Sequence, residues 1–229
     1  EEAQQALEKI KLIYMDNGKL SEYEAYVSTL PFADAAATVQ ETDYYQVAEN
    51  FFMESNCEKA IPAFTDYLNK YPNGIKAVEA HYYRGECLWK NKDFANALPD
   101  FETVIQSKDA HFITQALVYA ARASKQLNDT AKTIYYYNEL LTNSNDENIL
   151  NEARKELLDI YIAQQNWERA AEIATQIINA DTDNPLMLAK THLTVAKNNL
   201  INLNDTAQAL QSLQVAATFK NQYGAEAQY

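Results

Sequence analysis

Small and large apolar residues return along the chain at a fixed interval. Ala60, Ala97, Thr133, Ala170 and Ala209 stand 37, 36, 37 and 39 residues apart. Four residues after each comes Phe64, Phe101, Tyr137, Ala174 or Leu213, one helical turn on and on the same face. Four residues before each comes Asn56, Asp93, Asp129, Asn166 or Asp205. Asn and Asp side chains accept a hydrogen bond from an orphan backbone N–H at a helix start, so each marks the opening of a helix. A period of this length, tested before local structure, means a stack of repeated units.

Each unit resolves into two helices. In the second, the pattern predicts helices over Ala77–Lys90 and Phe94–Gln106, separated by Asn91-Lys92-Asp93. Twelve residues before the recurring Ala lie Ala48, Gly85 and Ala121, small enough to let the first helix approach the second closely. Leu158 departs from that rule, and Ala196 sits thirteen before Ala209, which predicts a one-residue insertion near Asn202 to Asn204. Pro62 and Pro99 fall about six residues into their second helices and predict a slight bend there. Of Tyr135, Tyr136 and Tyr137, only Tyr137 falls in the buried register, leaving the other two as surface cover.

Residues 1–40 read as a degenerate leading helix pair and linker, with Ala3–Asp16 and Leu20–Leu30 as helices and Tyr23 where the small anchor should stand. Pro31–Gln40 is the least regular stretch, a linker or a short extra helix. Five repeats then occupy 41–219, at about 41–73, 74–109, 110–145, 146–182 and 183–219, and 220–229 begin another. Ala225-Glu226-Ala227-Gln228-Tyr229 parallels Val78-Glu79-Ala80-His81-Tyr82, as if further repeats followed in a longer parent.

Composition agrees. Four Gly and five Pro in 229 residues leave little of the turn chemistry that a many-stranded sheet needs, so the fold class is all-α. A net charge of −13 speaks against a nucleic-acid partner. No apolar run is long enough for a direct membrane span, and the opening Glu1-Glu2 reads as the start of a processed or excised piece. Cys57 and Cys87 lack C-x-x-C spacing; two buried free thiols are the expectation and a bridge the alternative, and neither settles the compartment.

No catalytic, cofactor or metal residues emerge. His81, His111 and His192 have no ligand spacing, and His81 and His192 hold equivalent repeat positions, which points to a structural role. Four glycines cannot build a phosphate cradle, and Asp93, Asp129 and Asp205 are accounted for as caps. Asn128-Asp129-Thr130 and Asn204-Asp205-Thr206 match the N-glycosylation pattern but read as a recurring turn sequence.

Tyr82-Tyr83-Arg84-Gly85-Glu86-Cys87-Leu88, Asp93-Phe94-Ala95-Asn96-Ala97-Leu98 and Phe101 together resemble the tetratricopeptide repeat signature. Phe51, Ala60, Phe64 and Pro72 match in the preceding unit, and Tyr161, Trp167 and Ala170 in the fourth; Thr133 and Leu158 depart from it. The resemblance implies a right-handed superhelical solenoid of antiparallel helix pairs. Asn56-Cys57-Glu58-Lys59-Ala60-Ile61-Pro62 with Tyr71-Pro72-Asn73-Gly74 is similar to long tetratricopeptide proteins of Gram-negative envelopes, including the periplasmic Tol-Pal coordinator and the barrel-assembly lipoprotein. That similarity alone implies a periplasmic or outer-membrane-associated place.

The candidate site is a surface. With about 100° per residue and Ala48 at zero, Tyr45, Phe52 and Glu49 fall between about +40° and +100°, toward the inner wall that first helices line in this family. Equivalent places hold Tyr82, Glu86 and Trp89, then Val118, Arg122 and Lys125, then Lys155, Asp159 and Ile162. The partner-binding set is therefore Tyr45, Glu49, Phe52, Tyr82, Glu86, Trp89, Arg122 and Lys125, with the aromatic residues partly exposed as interface anchors. The chain reads as a non-catalytic protein-interaction scaffold that binds neutral or basic peptide segments. An assembly or oligomerisation arm of a larger enzyme or carbohydrate-binding protein is the alternative, and burial of the aromatic patch by a second copy of the chain is a third.

Overall fold

A computed structural model describes residues 2–31, 39–180 and 184–228. Among them lie thirteen α-helices and no strand. The Pro31–Gln40 linker falls largely on residues 32–38, outside the described set. The chain divides into two compact units, Glu1–Asn128 and Asp129–Tyr229. In the first run α1 (Glu2–Asp16), α2 (Leu20–Val27), α3 (Glu41–Met53), α4 (Cys57–Lys70), α5 (Ala77–Lys90), α6 (Phe94–Ser107) and α7 (Ile113–Gln126). The second holds α8 (Thr130–Asn143), α9 (Glu147–Ala163), α10 (Trp167–Asn179), α11 (Pro185–Asn198), α12 (Thr206–Ala217) and α13 (Gln222–Glu226). Within each unit, helices pack on their neighbours in sequence and first helices on the next first helix, as α3 on α5 and α5 on α7.

The turns explain the regularity. Asn56, Asp93, Asp129, Asn166 and Asp205 each accept from the backbone N–H three residues on, opening α4, α6, α8, α10 and α12. The residue before each cap, Ser55, Lys92, Asn128, Gln165 or Asn204, is left-handed, with φ between 52° and 61°. That conformation turns the preceding backbone N–H groups back onto the helix just ended. Ser55 donates to the Phe52 carbonyl and Asn56 to Phe51; Lys92 and Asp93, then Gln165 and Asn166, repeat the pattern. One residue thus closes a helix with its backbone and opens the next with its side chain. Glycine is the usual residue for this conformation, yet none of the five turns has it.

The anchors are core residues. Ala60, Ala97 and Ala170 have no exposed surface, and Phe64 and Phe101 none either. A Cβ built at Gly85 would stand 3.0 Å from the Phe101 ring, so this glycine marks the closest approach of α5 to α6. α4 and α6 run unbroken through Pro62 and Pro99. The extra residue of the last repeat is absorbed as a π turn at Asn199–Leu203, and Asp205 N–H reaches back six residues to Asn199, where Asn56, Asp93 and Asn166 reach back five. In the leading pair Tyr23 fills the anchor place, fully buried, and its hydroxyl donates to the Leu7 carbonyl at 3.3 Å.

Two expectations fail here. Cys57 and Cys87 are joined in a disulfide that ties the start of α4 to α5. The cysteines lie on neighbouring helices of different repeats, and only packing of one repeat on the next brings them together. Tyr136 is buried at 4% exposure, with Tyr137, while Tyr135 stays exposed.

Candidate functional site

The first-helix wall of the first unit is built on two layers of aromatic rings. Tyr45, expected at the surface, is 6% exposed and packs between Phe64 and Tyr67 at ring distances of 6.2 and 5.7 Å. Tyr82 is 9% exposed and stacks on Phe112 at 4.8 Å. Both are therefore packing residues, Tyr45 against the rings of α4 and Tyr82 against Phe112 just before α7. Burial raises both phenols above the ordinary tyrosine range, reinforced by Glu49 at Tyr45 and by Glu86 at Tyr82.

Phe52, Trp89, Glu49 and Glu86 are half-buried, as an inner wall requires, and so is Arg122, whereas Lys125 is exposed. Val118 is buried at 4%, and the half-buried ring at that level belongs to Tyr119, its neighbour in the chain. Tyr83 was passed over for the same reason, since the angular window stopped one residue short. Its ring lies 4.5 Å from that of Phe52, and Trp89 lies 5.6 Å from Tyr119. Trp89 also packs on Phe94 at 4.7 Å. The half-exposed wall is Phe52, Tyr83, Trp89 and Tyr119, with Tyr45 and Tyr82 beneath it.

Charges line this wall. Tyr45 donates to Glu49 at 3.0 Å, Lys76 pairs with Glu79 at 2.6 Å and Lys90 with Glu86 at 2.8 Å. Tyr83 is raised by burial first and then by Glu79, Glu49 and Glu86, so all three carboxylates bear on one ring. Beside them a cleft of about 230 Å³ is lined by Glu41, Thr42, Tyr45, Gln46, Glu49, Ile75 and Lys76. Its rim is fixed by Glu41, which accepts from the Tyr67 hydroxyl and the Ile75 N–H, each at 2.8 Å. Ile75 itself is 81% exposed.

The second unit repeats the feature with different side chains. A cleft of about 380 Å³ is lined by Asn151, Glu152, Lys155, Glu156, Ile177, Asn184 and Met187. Asn151, Glu152, Lys155 and Glu156 stand where Glu41, Thr42, Tyr45 and Gln46 stand three repeats earlier. Asp159, next in that series, pairs with Lys190 of α11.

A buried ion cluster went unread in the sequence. Asp100, 2% exposed, accepts from Arg84 at 2.9 Å (Nε to Oδ2) and 2.7 Å (Nη2 to Oδ1), and His81 Nδ1 lies 2.7 Å from Oδ1. Arg84 Nη1 also donates to Thr65 at 3.1 Å, so the cluster links α4, α5 and α6. His81 is structural, and its repeat counterpart His192 is held below the ordinary histidine pKa by burial.

A tetratricopeptide repeat family model matches residues 48–111, the stretch that holds Phe52, Tyr83, Trp89 and the disulfide. Over those residues the chain carries tetratricopeptide repeats. Its fold is similar to that of the MamA protein, at 15% identity and a TM-score of 0.52, over 79% of this chain and 96% of that one. It is also similar to a tetratricopeptide repeat protein from Bacteroides fragilis, at 14% identity and a TM-score of 0.51, over 83% and 91%. At such identities the likeness extends to the fold alone. No curated relative matches. Among the described residues no helix is long and apolar enough to cross a membrane.

Proposed function

We propose that this tetratricopeptide repeat chain is a non-catalytic interaction scaffold that binds peptide segments of a protein partner on its first-helix wall. The observation that carries the reading is the half-exposed row Phe52, Tyr83, Trp89 and Tyr119 beside an open cleft. Aromatic rings with one face packed and one face open are the common anchors of interfaces, and repeat proteins present such walls as extended binding surfaces. Glu49 and Glu86 border the row, and Arg122 and Lys125 extend it along α7. The test is site-specific photocrosslinking in the native host. A crosslinker at Trp89 is expected to capture a partner, and one at exposed Glu58 on α4 is not. Equal capture from both positions would refute the wall as the working surface.

We place the scaffold in a bacterial cell envelope, periplasmic or associated with the outer membrane. The Cys57–Cys87 disulfide supports this placement, since such bonds persist in oxidising compartments and are rare in the cytosol. Protein purified from its host under thiol-blocking conditions should yield no alkylated cysteine before reduction and two after it. The assembly-arm alternative finds support in exposed Leu200, Ile201, Leu203 and Leu210 of the second unit. Light scattering that shows a concentration-dependent oligomer, dispersed by charged substitutions there, would favour it.

A further inference from the structure

We propose that the first-helix wall of the first unit recognises a basic side chain of its partner, arginine above lysine, seated against Tyr83 and forked onto Glu49. This inference rests on the peptide-binding reading of the same wall and supplies the charge of the ligand. Glu79 and Glu86 each hold a lysine, Lys76 and Lys90, whereas the ion pairs of the described residues give Glu49 no basic partner. Its Oε1 accepts from Tyr45, and its Oε2 meets only the Gln46 amide, at 3.5 Å.

The two lysines display the chemistry the wall accepts. Lys76 Nζ lies 5.7 Å from the Tyr45 ring centre while paired to Glu79, and Lys90 Nζ lies 5.2 Å from the Phe52 ring centre while paired to Glu86. Each is a cation held between an aromatic ring and a carboxylate. Glu49 stands one helical turn before Phe52, whose ring lies 4.5 Å from that of Tyr83, and it lines the cleft rimmed by exposed Ile75, so a third carboxylate stands near a third ring. Arginine fits better than lysine because a planar guanidinium stacks on a ring and still donates two hydrogen bonds to a carboxylate. The net charge of −13 draws a basic segment toward the protein. Lys76 and Lys90 are about half exposed, at 43% and 51%, so their pairs are weak enough for an incoming guanidinium to compete with them.

The experiment is a titration of the ¹⁵N-labelled chain, followed by amide shifts, with acetyl-Leu-Arg-Leu-Arg-amide and with its glutamate counterpart, acetyl-Leu-Glu-Leu-Glu-amide. The arginine peptide should give saturable, salt-sensitive shifts at Glu49, Ile75 and Tyr83, and the glutamate peptide none. Glu49→Gln should weaken the arginine peptide about fivefold or more. Lys90→Ala should strengthen it about twofold by removing an internal competitor, an effect that a purely structural lysine would not produce. The spectrum of each variant reports its folding in the same tube. Shifts on this wall that are equal for both peptides, or unaltered affinity in Glu49→Gln, would overturn the cation site and leave the peptide groove standing. Absence of shifts on this wall with either peptide would overturn both.

Discussion

Asp100 shows what a single side chain can decide. Its carboxylate is buried and answered by a two-pronged Arg84 and by His81, so removing it leaves a guanidinium without its counter-ion in a closed site. Asp100→Ala should destabilise the protein by about 3–5 kcal/mol, read as a lower urea midpoint. A midpoint equal to that of the parent would mean that water replaces the carboxylate at no cost. The left-handed turn residues predict a gain instead. A side chain costs about 1–2 kcal/mol in that conformation, and glycine returns about 0.5–1 kcal/mol through its freer unfolded chain. Gln165→Gly, at φ 55°, should therefore stabilise by up to about 1 kcal/mol and raise the melting temperature, provided the turn keeps its two backbone bonds.

At the scale of elements, the repeat is a helix pair whose two members are held by different means. Within a pair, the cap residue and the small anchor are local in the sequence, and in the second pair the Arg84–Asp100 bond adds to them. Between pairs, the first unit adds a covalent tie, since Cys57 opens α4 and Cys87 lies in α5. At a sequence separation of 30, the loop-closure argument gives the bond about 3–4 kcal/mol. Reductant should lower the denaturant midpoint of the parent by that amount and leave a Cys57→Ser variant, already weakened, where it was. A parent indifferent to reductant would show that packing alone holds α4 to α5. The π turn after α11 shows the complementary case, an added residue taken up at a helix end, where one backbone bond lengthens its reach and the following cap survives.

Over the whole molecule, the excess of acid matters more than any single pair. A net charge of −13 on 229 residues repels itself in the folded state. Many of the ion pairs, such as Lys19 with Glu22 and Arg169 with Glu172, are exposed and contribute little. Added sodium chloride should therefore raise the melting temperature at neutral pH, as screening weakens the repulsion more than it weakens the surface pairs. A fall in melting temperature with salt would mean that the pairs, Lys11 with Asp43 among them, outweigh the excess charge.

The all-helical repeat, the starts of the five second helices and all five caps were legible in the sequence because a repeat fold is assembled from neighbours. A helix start depends on the cap and the turn before it, and the recurring Ala, Phe and Asn or Asp positions carry that information within a few residues of each event. Even the inserted residue of the last repeat was visible as a spacing, and its place as a π turn lies at the site that the spacing indicated. What the tertiary structure decided was what happens between first helices. Whether Tyr45 and Tyr82 face solvent or the next helix, whether Tyr83 and Tyr119 come to the surface, and whether two cysteines 30 residues apart meet all depend on the rotation of one helix pair against the next. A rotation of a few tens of degrees changes which side chain is covered while every local pattern stays the same. The bidentate bond between Arg84 and Asp100, within one helix pair, was hidden for a different reason. Its two residues lie on different helices, and a charged side chain in a helix pattern reads as surface until packing encloses it.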